Sequence, residues 1–308
     1  MIASSFLCSG SGLFAMTTPS LREKCCPGVA DEVGRFASVA NELAYACVVP
    51  SEGRRDTGIL FVHAAGGNRL GPHRMFVELA RRFNALGYAT LRFDLSGCGD
   101  SGGRSSEDDV ASEIADVVAA VHFLRNKINI RNVVLLGISR GAFVCHQVMA
   151  QHALPLSGVV MLSPPVSGGK VAARSFAARA REYAVKLTDP AHVRKLLRGR
   201  ADVRQIWRTL VAPLTPHRRY LAAQTGTIAS KCPVLLIYAG RDSILHESKR
   251  YYGERCRESR LPYECHIIPG ANHSFFHYRW TRQVSDYVSE WLGRIEQNGE
   301  QPHAESCR

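Results

Sequence analysis

Short apolar runs alternate with amphipathic stretches along most of the chain. Each run predicts a strand, and the apolar positions at every third or fourth residue of the stretches between them predict helices. Strands with so few polar residues are typical of a parallel sheet that is covered on both faces. The predicted strands cover residues 58–63, 89–95, 133–136, 158–162, 233–239 and 263–268, and the predicted helices cover 73–86, 106–126, 243–259 and 279–295, with a further helix that starts after residue 139 and ends near 152.

The alternation of strand and helix predicts an α/β fold with a doubly wound, mostly parallel sheet. Two further apolar runs, residues 35–39 and 43–49, predict an antiparallel pair before the first parallel strand. We therefore expect one domain over residues 30–296. Residues 1–29 and 297–308 show no periodic pattern and are predicted to be tails.

The alternation stops after Pro164-Pro165 and resumes at Pro233. Between them the pattern is helical only, and several prolines separate the pieces. A helical insertion at this point of the chain predicts a cap over the carboxyl ends of the strands, where α/β sheets bind ligands. We place this cap at residues 166–230.

The composition indicates a globular protein without a membrane span. Of its 308 residues 45% are hydrophobic, and no apolar run approaches the ~18 residues that a span requires. The ten cysteines are scattered and form no Cys-x-x-Cys pair, so neither a zinc site nor a disulfide framework is indicated, and we expect a cytoplasmic protein. Residues 1–16 contain no basic residue and do not resemble a signal peptide; alternatively, translation starts at Met16.

Nearly all of the formal net charge of +12 lies in the predicted cap, which contains thirteen basic and three acidic residues. This charge has two interpretations. It attracts an anionic acyl substrate, free or bound to a carrier, with Arg204 and Arg208 as candidate contacts; or it is a solvated helical surface. Nucleic acid is not expected, because the aromatic residues are spaced for packing rather than stacking on bases. The oligomeric state is not indicated.

One pentapeptide, Gly137-Ile138-Ser139-Arg140-Gly141, connects a predicted strand to a predicted helix. Gly-x-Ser-x-Gly in this context is typical of a nucleophile elbow, in which a sharp turn presents the serine hydroxyl. A second such pentapeptide, Gly99-Asp100-Ser101-Gly102-Gly103, resembles the active-serine sequence of trypsin-like proteases, which are all-β proteins. No helix follows Ser101 directly, so we favour Ser139, and we expect Asp94 to bond to backbone groups near the second loop.

A serine nucleophile needs a base and a group that orients the base. In this type of fold the chain order is serine, acid, histidine. Ser139, Asp242 after the strand that ends at residue 239, and His273 after the strand that ends at 268 follow that order. The open alternatives are Glu247 for the acid and His266 and His277 for the base.

The developing oxyanion needs backbone donors. The N–H group of Arg140, the residue after the serine, is the first candidate. The glycine-rich loop after His63 is predicted to supply the second, from Ala65. His63 itself is a candidate substrate contact. The Arg140 side chain is predicted either to contact an anionic substrate or to face solvent.

These motifs together resemble the α/β-hydrolase superfamily over about residues 33–296. They are His63-Ala64-Ala65-Gly66-Gly67, residues 93–101, the elbow pentapeptide, Gly240-Arg241-Asp242 and Gly270-Ala271-Asn272-His273. The resemblance implies an α/β-hydrolase fold and a Ser-Asp-His mechanism without a metal or organic cofactor.

Residues 68–76 are similar to the serine-aminopeptidase-like hydrolases found beside exosortase and exopolysaccharide genes. The chain departs from that pattern at Ala64, where many members have glycine, and at Leu95-Ser96, where Tyr-Arg is usual. The sequence thus predicts a serine hydrolase that acts on an ester or thioester. An acyltransferase with the same triad, a peptidase or amidase, and a non-catalytic binding scaffold are the alternatives.

Overall fold

The computed structural model describes residues 31–103, 110–166 and 228–297. Within these ranges eight strands form one sheet in the order β1-β2-β4-β3-β5-β6-β7-β8. The strands are β1 (Asp31–Ala37), β2 (Glu42–Val48), β3 (Thr57–Val62), β4 (Ala89–Phe93), β5 (Asn132–Ile138), β6 (Leu156–Leu162), β7 (Val234–Ala239) and β8 (Tyr263–Ile268).

The sheet is parallel from β4 to β8 and antiparallel at its β1 end. Strands β1 and β2 form the predicted antiparallel pair, and β2 continues antiparallel onto β4. The remaining neighbours all pair in parallel. The prediction of a doubly wound, mostly parallel α/β fold is therefore confirmed.

In the described part of the chain, five α-helices cover the two faces of this sheet. They are α1 (Met75–Ala85), α2 (Val110–Asn126), α3 (Arg140–Gln151), α4 (Leu245–Glu258) and α5 (Tyr278–Gln297). Helices α2, α3 and α4 pack against one face, and α1 and α5 pack against the other. Successive residues of a strand point to opposite faces of the sheet. On β5, Leu135 therefore packs in the core between the sheet and α2, α3 and α4, and Leu136 packs in the core between the sheet and α1 and α5. This double burial explains the nearly continuous apolar runs.

Helix α1 begins two residues later than predicted. Pro72–Arg74 form a 3-10 turn, and His73 and Arg74 have positive φ angles of 51° and 65°. An α-helix cannot continue through residues with left-handed backbone, so the helix starts at Met75.

The two predicted tails and most of the predicted cap lie outside the described residues, and so do Arg204 and Arg208. None of the helices in the described part of the chain combines the length and the apolar character needed to cross a membrane.

Helix α3 is the most deeply enclosed helix of the described part of the chain, since every residue from Arg140 to Met149 is buried. Its interior includes His146, which is only 3% exposed and packs edge-to-face against the ring of Tyr252, with ring centroids 5.2 Å apart. Burial, and then the nearby positive charge of Arg255, lower the pKa of His146 from 6.5 to about 4. The core therefore holds His146 in its neutral form at neutral pH.

We predict that His146 makes the fold sensitive to acid. Below about pH 6.5 the unfolded chain binds a proton that folded His146 does not accept until about pH 4, so stability falls with pH across this window. The expected loss from this residue is about 2 kcal/mol between about pH 7.5 and about pH 5. In urea unfolding, His146→Gln should lose about 2 kcal/mol less than wild type over this interval.

The exposed His122 on α2 offers a matched control. His122→Gln should reproduce the pH dependence of the wild type, because it removes an exposed side chain of α2 and leaves His146 in the core unchanged. An equal pH dependence of wild type and His146→Gln would contradict the role given to His146.

Candidate active site

Ser139 occupies a strained turn between β5 and α3. Its backbone has φ 51° and ψ −122°, a conformation that residues with a side chain rarely adopt. Two backbone hydrogen bonds hold it, because the Ser139 N–H donates to the carbonyl of Leu162 at 2.8 Å and the Ser139 carbonyl accepts from the N–H of Phe143 at 3.1 Å. The turn has the geometry of the predicted elbow.

The two glycines of the elbow are required by close contacts. A Cβ atom on Gly141 would lie 2.2 Å from the carbonyl oxygen of Val62 and 2.5 Å from that of His63. A Cβ atom on Gly137 would lie 2.5 Å from the backbone of Gly141 and Ala142. The start of α3 thus lies in close contact with the end of β3 and with β5. Only glycine fits at positions 137 and 141.

A chain of hydrogen bonds joins Ser139, His273 and Asp242. The distance from Nε2 of His273 to Oγ of Ser139 is 2.8 Å, and that from Nδ1 of His273 to Oδ2 of Asp242 is 2.5 Å. The Asp242 side chain is 5% exposed, whereas that of His273 is 43% exposed. The three residues predicted from chain order therefore meet at one edge of the sheet, with the carboxylate buried and the imidazole accessible.

Asp242 also stabilises the turn that carries it. Its Oδ1 accepts the N–H of Ile244 at 3.3 Å, which leaves Oδ2 for His273. The adjacent Arg241 N–H donates to the carbonyl of Ala271 at 2.9 Å. This bond joins the loop that carries Asp242 to the loop that carries His273, so the carboxylate and the imidazole keep their relative positions.

The second glycine-bracketed serine, Ser101, has a structural role. Its hydroxyl donates to the carbonyl of Asp94 at 2.6 Å and accepts the N–H of Ala44 at 2.8 Å. The buried Asp94 accepts backbone N–H groups from Arg69 at 2.5 Å and Asp100 at 2.9 Å, and it also pairs with the Arg69 guanidinium. Ser101 and Asp94 thus stabilise the loops that follow β3 and β4.

His273 is hydrogen-bonded to the hydroxyl of Ser139, and the other candidates for acid and base have different surroundings. Glu247 is an exposed residue of α4. His266 stacks on Tyr287 with ring centroids 4.2 Å apart, and its Nε2 lies 3.6 Å from Glu264. His277 packs beside Tyr278 at the start of α5.

In the loop after β3 the oxyanion role of Ala65 stays a prediction, whereas the role predicted for His63 does not agree with its burial. Ala65 is exposed in a turn that the Gly67 N–H closes by donating to the Ala64 carbonyl at 2.9 Å. His63 is 1% exposed and cannot contact a substrate. Its Nε2 accepts the Leu95 N–H at 3.0 Å, so its Nδ1 carries the proton and donates to the Ala64 carbonyl at 2.8 Å.

Burial lowers the pKa of His63 and so favours this neutral form. The predicted substrate contact at His63 is therefore corrected. Through its two hydrogen bonds, the buried imidazole links the glycine-rich loop at Ala64 to Leu95, just after β4.

Neither predicted role of the Arg140 side chain is observed. Its Nε donates to both carboxylate oxygens of Glu113 at 2.8 Å, and the two side chains are only 10% and 15% exposed. The guanidinium thus pairs with α2 instead of facing solvent or the substrate. The backbone N–H of Arg140 begins α3 directly after Ser139, which is the position expected of an oxyanion donor.

Two acidic residues of α2 that support the site, Glu113 and Asp116, were not among the predicted site residues. Glu113 binds Arg140, and the buried Asp116 accepts the hydroxyl of Ser38 at 2.6 Å and the N–H of Ser96 at 2.8 Å. The position of Asp116 within the apolar stripe of α2 was an available signal for a partnered, buried acid. Across residues 31–103, 110–166 and 228–297, no three His, Cys, Asp or Glu side chains are grouped so that they could hold a metal ion.

Comparison with known proteins supports this description. The model of the alpha/beta hydrolase family matches residues 59–286, which is most of the chain. The resemblance to that superfamily is therefore confirmed, while the closer likeness to exosortase-associated hydrolases stays a prediction. A lysophosphatidylserine lipase of Danio rerio is 29% identical over 109 residues, which are 34% of this chain and 27% of that protein.

Solved structures share the fold. An esterase of Pyrococcus furiosus matches with a TM-score of 0.65 and 20% identity over 86% of this chain and 91% of its own. An α/β serine hydrolase without a lid from Xanthomonas campestris matches with a TM-score of 0.56 and 17% identity over 89% of this chain and 97% of its own. At such identities the likeness concerns the fold alone.

We predict that Ser101→Ala destabilises the protein by about 1–3 kcal/mol, because the Ala44 N–H and the Asp94 carbonyl lose their hydroxyl partner. Urea unfolding measures the change. Ser289→Ala, on the half-buried face of α5, is the matched control and should change stability by no more than about 0.5 kcal/mol. Equal stabilities of the two variants would contradict the structural role of Ser101.

Proposed function

The chain belongs to the alpha/beta hydrolase family, and from this premise we propose that it is a serine hydrolase that cleaves a carboxylic ester or thioester through an acyl-Ser139 intermediate. The hydrogen-bonded series Ser139, His273 and Asp242 at a strained elbow is the observation that carries the proposal. It provides a nucleophile, a base in contact with it, and a buried carboxylate in contact with the base.

In the first half of the reaction Oγ of Ser139 attacks the carbonyl carbon of the substrate while its proton passes to Nε2 of His273. Asp242 accepts the Nδ1–H of His273, which fixes the tautomer whose Nε2 can accept that proton, and it stabilises the imidazolium that forms. His273 then donates the proton to the leaving alcohol or thiol as the carbonyl-to-leaving-group bond breaks. The acyl group remains on Ser139.

In the second half a water molecule attacks the acyl carbon. His273 takes the proton of the water and returns it to Oγ of Ser139 as the carboxylic acid leaves. The N–H groups of Arg140 and Ala65 are the proposed donors to the oxyanion in both halves. The buried pair of Arg140 with Glu113 supports this assignment, because it fixes the residue whose N–H must point at the oxyanion.

The substrate class proposed first is a carboxylic ester with a lipid chain. The similarity to the Pyrococcus furiosus esterase and to the Danio rerio lysophosphatidylserine lipase favours such an ester as the first substrate to assay. An anionic substrate that the basic residues of the predicted cap attract is a further proposal, with Arg204 and Arg208 as its contacts. A cytoplasmic location likewise stays a prediction.

The same residues would serve an acyltransferase or an amidase. Transfer is distinguished from hydrolysis by whether an added alcohol or amine captures the acyl group faster than water does. Amidase activity is distinguished by turnover of amide substrates with the same acyl group. A binding scaffold is distinguished by its failure to react with a serine-directed probe.

We predict that a fluorophosphonate probe labels the wild-type protein and not Ser139→Ala, because the probe reacts with an activated serine. Loss of the serine should lower ester turnover on the order of a million-fold, as in other enzymes with such triads. Ser101→Ala is the matched control and should be labelled. Absence of labelling in the folded wild type, or equal labelling of Ser139→Ala, would reject the catalytic assignment.

We predict that Asp242→Asn lowers kcat on the order of a thousand-fold or more while the fold persists. An amide at this position can still accept the Ile244 N–H, but it no longer fixes the tautomer of His273. Ester turnover and the rate of probe labelling measure the loss. Asp286→Asn, which removes a surface partner of Arg82, should leave both rates unchanged; a similar loss in both variants would contradict the role of Asp242.

A further inference from the structure

Two large apolar side chains are exposed on the loops that flank Ser139. Phe276 is 59% exposed and lies three residues after His273, and Leu70 is 40% exposed on the loop that follows Ala65. Exposure of an aromatic ring leaves an unfavourable apolar surface in water, and such surfaces next to a site commonly bind a ligand.

The exposed ring of Phe276 has a fixed position. It meets the ring of His73 edge-on, with centroids 4.0 Å apart and planes at 87°. The N–H of Phe276 donates to Oδ1 of Asn272 at 2.9 Å. Phe276 therefore contacts the loop after β3 on one side and is anchored to its own loop on the other.

The backbone of both loops is strained at this contact. His73, Arg74 and Phe275 have positive φ angles of 51°, 65° and 49°. Bulky residues avoid this conformation, and it persists only where the surroundings impose it. The turn at Phe275 places that residue in the core, 1% exposed, and leaves the next aromatic ring outside.

The contact lies at the same end of the sheet as the elbow. His73 lies two residues before α1 and Phe276 lies two residues before α5. These two helices pack side by side, with an ion pair of 2.7 Å between Arg82 and Asp286. Both helices begin at the carboxyl edge of the parallel strands, where Ser139 follows β5. The ring pair therefore lies at the carboxyl edge of the sheet, on the side of α1 and α5, and Phe276 lies three residues after His273, which is bonded to Ser139.

We propose that Phe276 and His73, together with Leu70 on the same loop as His73, form an apolar subsite that binds the aliphatic chain of the ester next to Ser139. This inference rests on the proposed ester hydrolysis. The chain is either that of the acyl group or that of the alcohol, since both extend from the carbonyl carbon that Ser139 attacks. In either position its methylene groups leave water by packing against the ring of Phe276.

The test compares two ester series by kcat/KM. One series keeps p-nitrophenol as the leaving group and lengthens the acyl chain from acetyl to octanoyl; the other keeps the acetyl group and lengthens the alkyl alcohol over the same range. In Phe276→Ala the preference for the long over the short substrate should fall about tenfold in at least one series, the lower end of what apolar pockets achieve. The series that responds identifies the chain.

Phe276→Leu should retain most of the preference, because leucine keeps an apolar surface at that position. Val33→Ala, which shortens an apolar side chain that is 70% exposed on β1, should retain all of it. Labelling of each variant by a compact fluorophosphonate establishes that Ser139 is still reactive; a wild-type protein that is not labelled would refute the ester hydrolase itself.

A labelled Phe276→Ala protein with an unchanged chain preference in both series would overturn the subsite. Binding of the wild type to phosphatidylcholine vesicles that is lost in Phe276→Ala, again with unchanged preference, would identify the exposed ring as a contact for a lipid surface and would equally overturn it.

Discussion

The close approach of α3 to β3 is the constraint on which the site depends. Because Gly141 lies against the carbonyl groups of Val62 and His63, the turn between β5 and α3 must be sharp, and Ser139 is forced to a positive φ angle. The cost is spread over the surrounding structure, since α3 is enclosed for most of its length and Ser139 is bonded to β6 through Leu162. The buried residues around Ser139 thus maintain its unfavourable backbone conformation.

Much of this arrangement could be predicted from the sequence, because it follows from local rules. Buried strands and amphipathic helices have distinct periodicities, and the carboxyl ends of parallel strands share one edge, so Ser139, Asp242 and His273 were expected to meet. The same rules separate Ser139 from Ser101, since only Ser139 stands between a strand and a helix. Chain order and topology were sufficient for these residues.

What the sequence could not predict depends on contacts between distant segments. The side chain of Arg140 faces Glu113, and His63 bonds to Leu95; neither partner is marked by spacing or by a motif. The late start of α1 arises from positive φ angles at His73 and Arg74, which no propensity indicates for such residues. In each case tertiary packing selects a conformation or a pairing that the local sequence leaves open.

The backbone bonds between the loops after β7 and β8 have a consequence for motion. Gly240 and Arg241 donate to the carbonyls of Ile268 and Ala271, so Asp242 and His273 are carried by one coupled unit, whereas Ser139 is fixed two strands away on β5. Thermal displacement of that unit conserves the contact between acid and imidazole and changes the separation between imidazole and hydroxyl. The separation between His273 and Ser139, which such a displacement changes, is also the distance that the proton crosses in the proposed reaction.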